Sequence, residues 1–246
     1  LTFSTNKEKI TDLIDGTDIL HSQYPETHSL LLGHPIKSYR AYKLNGIWQN
    51  SQAAEAGTYF QDSNKTTPFA PGLINVQDLN GDNIIDTAND YGYLGSASPK
   101  WFAGLNNTFS YKNFDLSIYA FIRWGHWGEN PLSNYDPKTG GKYTTFNYWT
   151  PEKETNGFPR PSADLEFHQY IGYQAYWYVD RSFFRIKNIT LGYTFEPATL
   201  QKIGLKKLRL YATGSNLWYK NKDSFMKGFD PEGLRRQLVV GMNVDF

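Results

Sequence analysis

The stretch FDLSIYAFIRW sets Phe114, Leu116, Ile118, Ala120, Ile122 and Trp124 on one side of an extended chain, against Asp115, Ser117, Tyr119 and Arg123 on the other. Alternation of this kind requires a strand with one apolar face and one wet face, and a helix cannot accommodate it. The pattern recurs along the chain. KWFAGLNNTFS puts Trp101, Ala103, Leu105 and Phe109 together, opposite Asn106, Thr108 and Ser110, and a turn at Lys112–Asn113 joins it to the first stretch as a predicted hairpin. KNITLGYTF groups Ile189, Leu191, Tyr193 and Phe195, and LRLYATGS groups Leu208, Leu210 and Ala212. In RRQLVVGMNVDF the apolar set is Leu238, Val240, Met242, Val244 and Phe246, with Val239 the one exception on the polar side. Soluble domains usually let their last residues fray, so this terminal alternation predicts a strand held in a sheet.

Five strands need something against their apolar faces. Mean hydropathy is −0.58 and no run of about 18 apolar residues occurs, which excludes a transmembrane helix but not a membrane barrel. Barrel strands hide their lipid-facing residues at every second position. Connections alternate in length: the turn at 112–113 and EPATLQKIGLKK are short, whereas 125–182 and 216–236 are long, polar and aromatic. Short turns at one end and long loops at the other are how outer-membrane barrels are built. The predicted fold is therefore all-β, a segment of an antiparallel transmembrane β-barrel with long extracellular loops. The alternative is a secreted β-sandwich, a calcium-binding carbohydrate module, whose second sheet would cover the apolar faces. YRAYKLNGIW and LTFSTNKEKI each predict a further strand, and LTFSTNKEKITDL reads as the interior of a longer chain. The 25 basic and 24 acidic side chains nearly cancel, which gives no electrostatic argument for nucleic acid, and the lack of cysteine removes disulfides and thiolate chemistry.

One segment carries metal-ligand spacing. DLNGDNIIDTAND offers oxygens at the positions of a calcium loop: Asp78, Asn80, Asp82, the Ile84 carbonyl, Asp86 and Asn89. Asn83 stands where such loops use glycine, and Asp90 falls one residue beyond the last ligand position. The reading is a weakly bound structural calcium. Aromatics make up 17 % of the chain, and those in the long loops, Trp127, Trp149, Tyr176 and Trp177, are candidates for stacking on a ligand. Rings at strand ends such as Trp124 and Trp218 fit an interfacial girdle instead. The five histidines show no metal-ligand spacing, no pair of acids is placed for glycoside hydrolysis, and no enzyme is predicted. Arg123, Arg185 and Arg209 lie on polar strand faces and are read as lumen-lining.

Several strings occur together in a telling order: GHPIKSYRAYKLNGIWQ, DLNGDNIIDTAND, GSASPKWFAGLNNTFSYKNFDLSIY, NYWTPEKETNGFPRP, SFFRIKNITLGYTF, LRLYATGSNLW and GFDPEG. Jointly they resemble the C-terminal barrel part of SusC/RagA-type TonB-dependent transporters of Bacteroidota outer membranes. The resemblance implies the last strands of a plugged barrel of about 22 strands, with residues 1–246 in the barrel domain and the plug domain and TonB box outside them. It implies import of glycan fragments or peptides, a SusD-like surface lipoprotein as partner, and coupling to TonB through the N-terminal part. Phe246 then matches the terminal aromatic that barrel-assembly machinery reads, and Leu238, Val240, Met242 and Val244 would face outer-membrane lipid. The family often carries a longer loop between GFDPEG and the last strand, where this chain has only LRR.

Overall fold

The computed structural model of the chain describes residues 1–21, 23–24, 26–131, 147–165, 167–201 and 204–246. Six strands form one antiparallel sheet in the order β1 (Thr2–Thr5), β6 (Trp101–Tyr111), β7 (Phe114–Trp124), β10 (Phe183–Thr194), β11 (Lys207–Asn221) and β12 (Gln237–Asp245). The shorter strands β2 (Ser38–Ala41), β3 (Leu44–Ile47), β4 (Ile74–Val76), β5 (Gly92–Ser96), β8 (Trp127–Glu129) and β9 (Tyr178–Asp180) pair two by two, β2 with β5, β3 with β4 and β8 with β9. No helix among the described residues is long and apolar enough to cross a membrane.

Register explains the faces of the large sheet. Val240 lies opposite Ala212, Ala212 opposite Leu191, Leu191 opposite Leu116, and Leu116 opposite Phe109. One pleat further on, Met242, Leu210, Tyr193, Phe114 and Tyr111 form a parallel row. The other face carries the row Thr108, Ser117, Thr190 and Thr213, and Val239 is the apolar exception. Because side chains alternate strictly, a slip of one residue would reverse both faces. The apolar face is uncovered: Leu238 and Val240 are each 75 % exposed and Met242 is 67 % exposed. In place of the two comparable sheets of the sandwich alternative, the described residues form one six-stranded sheet and three two-stranded ones.

A bulge changes the parity once. Between Ile186 and Asn188 the register shifts in both pairings of β10: against β7 Lys187 is an inserted residue, whereas against β11 it faces the two residues Asn216 and Leu217. Ile186 and Phe184 thereby stay on the apolar face, opposite Ala120 and Ile122, while Arg185 and Phe183 turn to the polar face. Without the extra residue Arg185 would point into the apolar row.

The chain divides into two compact units, the first comprising residues 1–7, 98–126 and 180–246, the second residues 8–97 and 127–179. The first holds the large sheet. The second has little regular structure and most of the buried large side chains, among them Tyr42, Ile47, Trp48, Phe69, Ile74, Ile85, Phe158 and Tyr170. The single strand expected in YRAYKLNGIW is two, β2 and β3, which pair with the distant β5 and β4. Their partners lie far along the chain, so no local pattern could separate them.

Candidate functional site

The large sheet presents a banded apolar surface. At the end away from the 112–113 turn, Trp101 stacks on Trp124 at 6.0 Å, Phe3 meets Trp101 at 5.9 Å and Phe184 meets Trp218 at 5.6 Å. At the turn end, Tyr193 lies 4.8 Å from Phe114 and 5.0 Å from Phe195. Ile118, Ala120, Leu116, Ile189 and Leu191 fill the space between. The 11 residues each of β6 and β7, at about 3.4 Å per residue, reach roughly 37 Å. Tilted by about 45°, they span roughly 26 Å, the height of the lipid-facing band of a membrane barrel.

The opposite face is wet and ionic. Arg209 Nε donates to Asp115 Oδ1 at 2.9 Å across β10. Gly192 lies beneath this pair, and a Cβ there would stand 2.4 Å from Arg209 Nη2 and 2.5 Å from Asp115 Oδ1. Further along, Arg185 is fully buried. It pairs with the Asp230 carboxylate, its Nε lies 3.2 Å from Glu232 Oε2, and Nη1 donates to Asn216 Oδ1 at 3.1 Å. Its guanidinium also sits 5.6 Å from the Tyr219 ring centroid. The DPE of GFDPEG is thus bound by an arginine of the strand wall. The residue type was legible in sequence, but its partners, some 45 residues away, were not.

The acidic loop folds as a chain of side-chain-to-backbone turns. Asp78 accepts from the amides of Gly81 (2.7 Å) and Asn83 (2.9 Å), Asp82 from Ile84 (2.7 Å), and Asp86 from Ala88 (2.9 Å) and Asn89 (2.8 Å). Asn83 adopts φ 62°, the left-handed conformation that Asn tolerates better than most residues. The Ile84 carbonyl side of the loop is tied down by its neighbour Ile85, which is buried and donates its amide to Phe60. Hydrogen bonding to the Ile84 amide and to Asn80 holds the Asp82 carboxyl below its ordinary range. Asp90 closes the loop: fully buried, it accepts from the amides of Leu79 (2.8 Å) and Asp86 (2.9 Å), and burial pushes its pKa up. Among the described residues no three His, Asp or Glu side chains gather as a cation-holding group. The amides use one or two of the roughly four lone-pair positions on each carboxylate, so the donor set remains compatible with a cation.

The four loop aromatics separate. Trp149 is 3 % exposed and Tyr176 is 1 % exposed. Trp149 Nε1 donates to Gln49 Oε1 at 3.2 Å; the Tyr176 hydroxyl donates to the Gly157 carbonyl at 3.0 Å, and its ring stacks on Phe158 at 5.5 Å. Both are core residues, which corrects the expectation that they meet a ligand: a unit poor in regular structure builds its core from large rings with satisfied polar ends. Trp127 is half-buried and seated on Gly95, where a Cβ would stand 2.0 Å from its ring. Trp177 is half-buried, edge-on to Tyr173 at 5.5 Å. The loop between Trp127 and Trp149 falls outside the described residues at 132–146. Phe246 follows the end of β12 and is 81 % exposed.

No family model matches the chain. Curated relatives do. It is 31 % identical over 228 residues to TonB-dependent receptor P3 of Formosa agariphila, which covers 87 % of this chain and 21 % of that protein. To TonB-dependent receptor P26 of the same organism it is 30 % identical over 243 residues, 95 % of this chain and 23 % of that protein. The chain is thus similar, over most of its length, to TonB-dependent receptors. It spans about a fifth to a quarter of the length of these relatives. The fold agrees: a solved structure of the RagAB peptide transporter matches 99 % of this chain and 26 % of its own with a TM-score of 0.65 at 20 % identity, and the importer's closed-closed state gives 0.64. The six-stranded antiparallel sheet accordingly has the fold of a piece of β-barrel wall, and the chain is all-β.

Proposed function

We propose that this chain is the C-terminal part of the barrel domain of an outer-membrane transporter that imports a bulky oligomer, a glycan fragment or a peptide. The carrying observation is the in-register apolar face bounded by two aromatic belts, backed by a polar, ionic face. Hydrocarbon accepts the first where every backbone amide pairs within the closed sheet of a whole barrel, and a water-filled passage accepts the second. In this reading a SusD-like lipoprotein closes over the mouth, and TonB drives opening through parts of the receptor outside these residues. The role is transport and not catalysis, in line with relatives named as receptors. Two of the loop rings expected to stack on a ligand are buried, so the cargo is proposed no more finely than glycan fragment or peptide. Phe246 is the proposed assembly signal. Calcium at Asp78, Asn80, Asp82, the Ile84 carbonyl, Asp86 and Asn89 is the proposed brace of an external loop, bound weakly as in extracellular modules.

The test is the intact mass of the native receptor extracted from an outer-membrane fraction in mild detergent. The transport reading expects a species several times the 28.3 kDa of this chain, together with a lipoprotein. A monodisperse soluble protein of that small mass would end it.

A further inference from the structure

The connection from β11 to β12 covers residues 222–236, although neighbouring antiparallel strands need only a two-residue turn. Long ordered connections of this kind are commonly functional. This one folds back onto the polar face near the starts of β10 and the end of β11, the end opposite the tight 112–113 turn. There Arg185 takes Asp230 and Glu232, Lys187 lies 3.6 Å from Glu232, and Met226 is fully buried. Two cations meet two carboxylates, so the cluster is neutral. Buried ion pairs of this kind stabilise a fold little better than apolar packing would, and what they supply is a fixed position. The bulge at Lys187 is what aims Arg185 at the loop.

We propose that residues 222–236 form an in-folded strap, fastened by Arg185, that narrows the mouth-side half of the passage and so limits the size of cargo. The inference rests on the transport reading, which turns the polar face towards the lumen. Arg185 is here a positioning residue: it touches the strap and not the cargo. Lys227 is exposed on the strap and serves as a reporter, because this chain contributes no cysteine.

The experiment uses the full-length receptor in intact outer membranes, carrying K227C alone or with R185M or E232Q. Whole cells are treated with a small methanethiosulfonate or with a polymer-conjugated maleimide. The small reagent is expected to label all three proteins. The polymer reagent should label the R185M protein roughly tenfold faster than the K227C parent, since loss of one partner of a buried pair frees the other. E232Q, which keeps the Asp230 contact, should move the same way by a smaller factor and covers the case in which R185M does not assemble. Equal polymer labelling of parent and variants overturns the strap. Heat-modifiable migration separates the two failures: a receptor folded as a barrel with equal labelling sinks the strap alone, whereas a parent absent from the outer membrane sinks the transport reading beneath it.

Discussion

Asp90 illustrates how one buried carboxylate can organise a loop from a position outside the metal-ligand spacing. It lies one residue past the expected last ligand, Asn89, and its two oxygens hold the amides of Leu79 and Asp86. Replacing it with alanine orphans both donors, for an expected loss of about 2–4 kcal/mol in unfolding experiments. Its pH behaviour has a definite sign. Burial raises its folded-state pKa above the ordinary carboxylate value, so the folded state binds the proton more tightly. The stabilisation by protonation is complete below the ordinary carboxylate range and is lost as pH rises through the raised value. Stability measured between the two values should therefore fall with rising pH, and D90N should flatten that part of the curve. A profile unchanged by D90N would show that Asp90 does not titrate there. Gly192 makes a second residue-scale case. A methyl group at this position collides with both members of the Asp115–Arg209 pair, so G192A should cost about 1–3 kcal/mol, whereas in an unstrained strand alanine would be the better residue.

At the scale of the strand, the alternation makes a prediction that separates lipid from water. Leu191 lies mid-sheet on the apolar face, half-exposed, and its neighbour Thr190 lies on the polar face opposite Ser117 and Thr213. L191R should destabilise the barrel in lipid by about 2–4 kcal/mol, while T190K should cost less than about 1 kcal/mol. Equilibrium unfolding in bilayers measures both. If L191R were neutral, the apolar face would be meeting water or protein instead. The same alternation explains what could be foreseen. The Lys112–Asn113 hairpin came out within one residue, the run 100–110 as Trp101–Tyr111 and the run 114–124 as Phe114–Trp124, because its period is unbroken. Strand β10 extends to Phe183, beyond its alternating run, because the bulge at Lys187 reverses the parity and hides the continuation; β11 runs on to Asn221 past the two residues, Asn216 and Leu217, that face Lys187. The site was less legible than the sheet. Spacing located the acidic loop but not its closing residue, and aromaticity marked Trp149 and Tyr176 without revealing that they were core.

For the molecule as a whole, the two units hold together for different reasons. In the first, the apolar face is exposed and hydrogen bonds run from strand to strand, so its stability depends on detergent or lipid. In the second, buried rings such as Trp48, Tyr42 and Phe69 form a water-type core, and the acidic loop at 78–90 belongs to that unit. Units with separate cores open separately. In detergent, heating the full receptor should give two transitions, with fluorescence from buried Trp48 and Trp149 moving before the strand signal in circular dichroism. Calcium links this division to the loop. A ligand that binds only the folded loop stabilises by RT ln(1 + [L]/Kd), about 2.7 kcal/mol at a hundredfold excess over Kd. Millimolar calcium should therefore raise the first transition and leave the second in place, and a D82N/D86N variant should lose that response. If calcium moved neither transition, the carboxylates would be serving the loop's own amides alone. If it moved both equally, the two units would be melting as one and the division would fail with it.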